Sequence, residues 1–153
     1  MPLNPDYVGR SFPATEVYEV GREKIREFAD AIGDWSPVYR DAEAARALGY
    51  PDVIAPPTFL TVLSFRRPNG AYTDPDLGLD FSRLVHGEQR FAHHRPVVPG
   101  DRLVSTSTIS AIRVAGRNEL MTVTSEVATE SGEPVCTITS VVVIRGTAPQ
   151  QEG

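Results

Sequence analysis

The chain has 153 residues, a length that points to one domain able to bury its own core. Hydrophobic residues make up 41% and charged residues 23%, which excludes an intrinsically disordered chain. A formal net charge of −5 argues against a nucleic-acid partner, and the single cysteine excludes an internal disulfide or a Cys-rich metal centre within one chain. No apolar run approaches the length of a membrane span. The start, Met-Pro-Leu-Asn-Pro-Asp, lacks the basic and apolar regions of a signal peptide. A cytoplasmic protein that touches no membrane is the resulting expectation.

The first half reads as helical. Phe12 to Val20 is a candidate strand, which Pro13 restricts to an edge or a strand start. After Gly21, the apolar residues Ile25, Phe28, Ala29 and Ile32 follow the spacing of an amphipathic helix, and Gly33 stops it. Asp41 is placed to cap a second helix over Ala42–Leu48, ended by Gly49. A third helix is expected from Pro57 to Arg66, with Pro68 ending the run. Its residues Phe59, Leu60, Val62, Leu63 and Phe65 are apolar on nearly every side, which marks it as buried.

From Arg83 the period changes to two. Arg83–Val97, Arg102–Val114, Asn118–Ala128 and Pro134–Ile144 are strand candidates, separated by Gly- and Pro-rich turns. Short loops predict an antiparallel meander. Val141 to Ile144 is apolar on both faces, so the last strand is expected to be central. Ser105, Thr106, Ser107 and Thr108 require that part of one sheet face be polar. One buried helix laid on one sheet is an α+β architecture, spanning residues 1–148, with 149–153 as a disordered tail.

The most informative segment runs from Phe28 to Asp41: a helix ends at Gly33, and Asp34 and Pro37 follow in an irregular loop. A carboxylate on such a loop suits acid–base chemistry. This stretch resembles the MaoC-like (R)-specific hydratases and dehydratases, whose signature is an aromatic, then Gly-Asp-x-Asn-Pro-hydrophobic-His, then a small residue. Phe28, Gly33, Asp34, Pro37 and Ala45 fit that pattern. Ser36 stands in place of Asn, and Tyr39 in place of the catalytic His. In the family the Asp and His add water to a 2-enoyl thioester or remove it from a 3-hydroxyacyl thioester. Tyrosine, with a pKa near 10 against about 6.5 for histidine, is a poor base at neutral pH. The alternatives are an Asp34 that only caps a turn and a Tyr39 that only packs.

Further blocks extend the resemblance from about Val8 to Ile144: Val53-Ile54-Ala55-Pro56-Pro57-Thr58-Phe59, Val85-His86-Gly87-Glu88-Gln89, His94-Arg95-Pro96-Val97 and Pro99-Gly100-Asp101. Together they are similar to the FAS1-like dehydratase branch, which in mycobacterial heterodimers supplies the subunit that lacks the dyad and holds the acyl chain. The resemblance implies a hot-dog fold, a bent antiparallel sheet wrapped around a central helix and paired into a dimer. It further implies catalytic roles for Asp34, Tyr39 and His86, and substrate contacts from Pro57, Thr58, Phe59, Gly87 and Gln89. Its partners are an acyl-CoA or acyl-carrier-protein thioester and a second hot-dog subunit, identical or catalytic, and no cofactor is required. A non-catalytic acyl-binding subunit is the alternative function, followed by a thioesterase. His86 equally reads as a structural residue. His93 and His94, adjacent in a strand, point to opposite faces and do not chelate one metal. Cys136 reads as a small buried hydrophobe.

Overall fold

The computed structural model describes residues 1–64 and 70–150. Its elements are β1 (Ser11–Phe12), β2 (Tyr18–Glu19), α1 (Arg22–Ala31), α2 (Ala42–Ala47), α3 (Thr61–Ser64), β3 (Leu84–His93), β4 (Arg102–Ala115), β5 (Asn118–Thr129) and β6 (Pro134–Ile144). One antiparallel sheet holds all six strands in the order β1-β4-β5-β6-β3, with β2 also paired to β4.

The expected strand over Phe12–Val20 is two short strands on the β4 edge. Pro13 has no N–H to give to the ladder, and the gap is bridged by Thr15, whose hydroxyl accepts from Ser105 N (3.0 Å). Helices α1 and α2 form as expected and end alike. After α1, Gly33 N donates to Asp30 O (3.1 Å) and Asp34 N to Ala29 O (2.9 Å). After α2, Gly49 N donates to Arg46 O and Tyr50 N to Ala45 O. Both are Schellman closures, and both glycines have the positive φ that the motif needs (+70° and +92°).

The third helix differs from expectation. Residues 57–60 form turns bonded from i to i+3, and the α-helix begins only at Thr61. Thr61 Oγ1 donates back to Thr58 O (2.7 Å), a local bond that competes with the helical ladder. The expected end at Arg66 and Pro68, with Phe65, lies outside the described residues. Residues 151–153 of the expected tail lie outside them as well.

The meander holds for β4, β5 and β6 but not for β3, which lies beside β6 on the opposite edge from β1. Residues 94–101 are not a hairpin turn, because they pack as they cross. Val97 is buried in the core and its carbonyl accepts from Ala55 N (2.8 Å), and Val20 exchanges bonds with Gly100 and Asp101. Strand β6 is therefore interior, as its apolar run requires. Register shifts fall at His86/Glu88, Ile109/Ala111 and Val127/Ala128, and such bulges bend the strands that carry them.

On the helix-facing side of the sheet, three of the four long strands read apolar, then serine, then apolar: Leu103-Ser105-Ser107-Ile109 on β4, Met121-Val123-Ser125-Val127 on β5, and Ile138-Ser140-Val142-Ile144 on β6, counting alternate residues. The serines divide the core. Leu103, Val127 and Ile138 join Phe59, Leu60, Leu63 and Ile25 in one cluster. Ile109, Met121, Val123, Val142 and Ile144 join Leu3, Tyr7, Phe12 and Leu77 in the other.

Two outcomes test this packing. Cys136 is fully buried and its thiol pKa is pushed up to about 11 by burial. The native protein at pH 8 should therefore react with a disulfide reagent only as fast as it unfolds; prompt stoichiometric labelling would contradict the placement. Gly87 sits at the β3 bulge, where a Cβ would stand 3.1 Å from Val141 O and 3.4 Å from Val143 Cγ2. Gly87→Ala should cost about 1–3 kcal/mol in urea denaturation, and an unchanged midpoint would show the contact to be slack.

Candidate functional site

Asp34 owes its position to the α1 closure, being the residue just past the left-handed Gly33. Its Oδ1 accepts from Ser36 N (3.1 Å). The Asp34 carbonyl accepts from Arg40 Nη2 (2.8 Å), and the Arg40 guanidinium pairs with Asp30 and lies 4.7 Å from the ring centre of Trp35. Oδ2 of Asp34 has no hydrogen-bond partner among the described residues.

Tyr39 closes a single 3-10 turn, Pro37–Tyr39, and is 9% exposed within the first core cluster. Its hydroxyl pKa is raised, first by burial and then by the Asp34 carboxylate and Tyr50. A phenol held neutral in this way supplies no base at physiological pH.

A cavity of about 530 Å³ opens elsewhere, between the sheet and the segment around α3. Ser107, Ser125, Ser140, Val123 and Val142 form its floor, with His86 and Gln89 from β3. Thr61, Ser64, Ala71 and Tyr72 stand opposite. Ser107 and Ser125 face each other in register with their hydroxyls 2.6 Å apart, and Ser140 Oγ donates to Gln89 Oε1 (2.8 Å). The described lining contains no carboxylate, lysine or arginine. His86 is exposed, and its Nε2 donates to Glu88 O (2.8 Å), which leaves Nδ1 as the acceptor of the neutral ring.

The sequence-predicted residues thus fall into separate places. Asp34 and Tyr39 share one loop, whereas His86 and Gln89 line a cavity that neither of them lines. Phe59 is 0% exposed and packs edge-on against Phe28 at 5.5 Å, so it is core and not a surface for substrate. Thr58 is exposed and Gly87 lies on the exposed bulge.

Pro57 borders a shallow groove of about 360 Å³ that runs from Ile54 to Pro57 and from His93 to Val97. His93 and His94 both line that groove, because β3 ends at His93 and the alternation of faces ends with it. His93 Nε2 donates to Pro57 O (2.7 Å), and His94 Nε2 lies 3.5 Å from Thr137 Oγ1. Among the described residues no group of three or more His, Cys, Asp or Glu is placed to hold a metal ion. The sequence reading missed Tyr72, Ser125 and Ser140. The signal that could have found the serines was a small polar residue at the core-facing phase of each strand.

A bent antiparallel sheet packed on a short helix, of which Leu63 is the buried residue, is shared with solved structures and defines the hot-dog class. A MaoC-like dehydratase superposes with a TM-score of 0.83 at 34% identity, over 91% of this chain and 42% of that one. A chain of the C-terminally truncated HadBC (3R)-hydroxyacyl-ACP dehydratase complex of Mycobacterium tuberculosis gives 0.75 at 29%, over 90% and 97%. The model of the FAS1-like dehydratase domain region matches residues 6–138, and the chain belongs to that family. A UPF0336 protein of Saccharopolyspora erythraea is 56% identical over 153 residues, which is 100% of this chain and 98% of that one.

Tyr39 yields a prediction whose sign follows from its raised pKa. The folded state holds the phenolic proton more tightly than the unfolded chain, so the stability that this contributes is complete below pH 10 and is lost as pH rises through the folded pKa. Tyr39→Phe should soften the alkaline loss of stability, while Tyr39→Ala costs about 3–5 kcal/mol at neutral pH. Both are read by denaturation at several pH values. Identical alkaline curves for the wild type and the Phe variant would contradict the assignment.

Proposed function

We propose that this chain is the acyl-holding component of an (R)-specific hydro-lyase acting on 3-hydroxyacyl or 2-enoyl thioesters of CoA or acyl-carrier protein. The observation that carries the reading is the cavity: largely apolar, free of charged side chains among its described lining, and within the size range of small-molecule sites. Removing water from a 3-hydroxyacyl thioester needs a base for the α-proton and an acid for the departing hydroxyl. Among the described lining residues His86 is the one imidazole, and no carboxylate accompanies it. A second hot-dog subunit would supply that pair, a division of labour supported by the likeness to a chain of the two-component HadBC dehydratase. Strand β3 has a strand neighbour on one side only among the described residues, and such an edge favours pairing with another chain.

A second reading, an enzyme active by itself as a homodimer, is favoured by one observation. Asp34 keeps an oxygen without a protein partner beside Tyr39. The two readings separate in an assay of the purified chain with crotonyl-CoA and longer enoyl-CoAs, paired with calorimetry of a saturated acyl-CoA. The proposal expects saturable binding and no more than trace hydration. Turnover by the chain alone that Asp34→Asn abolishes would overturn it, and release of free thiol would point to a thioesterase. In light scattering we expect a mass of about twice 16.7 kDa for the isolated chain; a monomer at micromolar concentration would remove the pairing.

A further inference from the structure

The cavity floor has more hydrogen-bonding capacity than the protein itself uses. Ser107, 4% exposed, and Ser125 form one hydroxyl–hydroxyl bond across β4 and β5. One of the two donates, so the hydrogen of the other is left over. Ser140 spends its hydrogen on Gln89 Oε1, which leaves the two amide hydrogens of Gln89 without a protein acceptor among the described residues. Across the cavity the Tyr72 hydroxyl has no hydrogen-bond partner among the described residues, and burial alone raises its pKa. The surplus therefore consists of neutral donors from three places in one cavity, surrounded by Val123, Val142, Leu84 and Ala71. A plain alkyl chain laid over this floor would gain from the apolar walls but strip water from those donors and return no hydrogen bond, a penalty that an oxygenated chain avoids. An anion would find no cation in the described lining. A neutral oxygen acceptor within an otherwise apolar chain satisfies both the donors and the walls.

We infer that the cavity selects acyl chains carrying a keto or hydroxyl oxygen in the body of the chain, away from the thioester, with Ser125, Gln89 and Tyr72 as the specificity-determining donors. The inference rests on the reading of this chain as an acyl-holding component. The test is calorimetric titration of the purified protein with dodecanoyl-CoA and with a CoA thioester of the same length bearing a mid-chain keto group. One net hydrogen bond is worth about 1 kcal/mol, so the keto chain should bind about fivefold tighter, rising past tenfold if two donors engage.

Ser125→Ala, Gln89→Ala and Tyr72→Phe should each shrink that ratio, and a variant merely loosened by the substitution would lose affinity for both ligands in equal proportion. Thermal melts identify any variant that fails to fold, and the remaining two still decide the case. Equal affinities, or a preference for the plain chain, would overturn the inference while leaving the acyl-holding role intact. Binding of neither thioester would overturn that role and the inference with it.

Discussion

The Ser107–Ser125 hydroxyl contact, with the separate Ser140–Gln89 bond on the neighbouring strands, is the constraint on which the interior depends. Each strand places apolar side chains on both sides of its serine, and those side chains enter two different clusters. Had the serines been valines, both clusters would merge with gain from each buried methyl. As serines they must keep hydrogen bonds, because an unsatisfied buried hydroxyl costs about 1–3 kcal/mol. Ser107 and Ser125 meet that demand by bonding to each other and Ser140 by bonding to Gln89, which leaves the space above them open. The cavity is thus the consequence of a polar row that neither core can absorb.

The positions of the Asp34 loop and the cavity have independent origins. Asp34 is set by the closure of α1 at Gly33, and it is held there by Ser36 N and the Arg40 guanidinium. The cavity is set by strands β3 to β6, whose register puts Gln89 opposite Ser140 and Ser107 opposite Ser125. Tyr39 packs in the first core cluster and puts no imidazole in that loop. On the proposed reading, the sheet holds the acyl group and the proton transfers pass to another subunit.

Much of this was legible in the sequence, for reasons that differ from element to element. Strand β6 was found to the residue because Pro134 opens it and its β-branched run has no other use. The caps of α1 and α2 were legible because Gly33, Asp41 and Gly49 act through local geometry. The place of β3 was not, since it pairs with β6 and not with the next strand, and the segment between is tied to a distant part of the chain by the Ala55 N to Val97 O bond, which no local pattern encodes. The late start of α3 at Thr61 follows i to i+3 turns, accompanied by a threonine back-bond. Asp34 and Tyr39 were correctly read as neighbours because they share one loop. Their separation from the cavity that His86 lines was invisible, because it is a matter of topology. The polar stretch around Ser107 was visible on β4, but its partners on β5 and β6 emerge only once the register is known.

The central claim is that an acyl chain lies across the serine row. It is tested most directly by a crystal structure of the protein with a saturated acyl-CoA. The account predicts continuous density for the acyl chain between Tyr72 and the Ser107–Ser125–Ser140 floor, with the β3 residues His86 and Gln89 alongside. An acyl chain seated instead in the groove of Pro57, His93 and Val97, with the serine cavity holding only water, would contradict it.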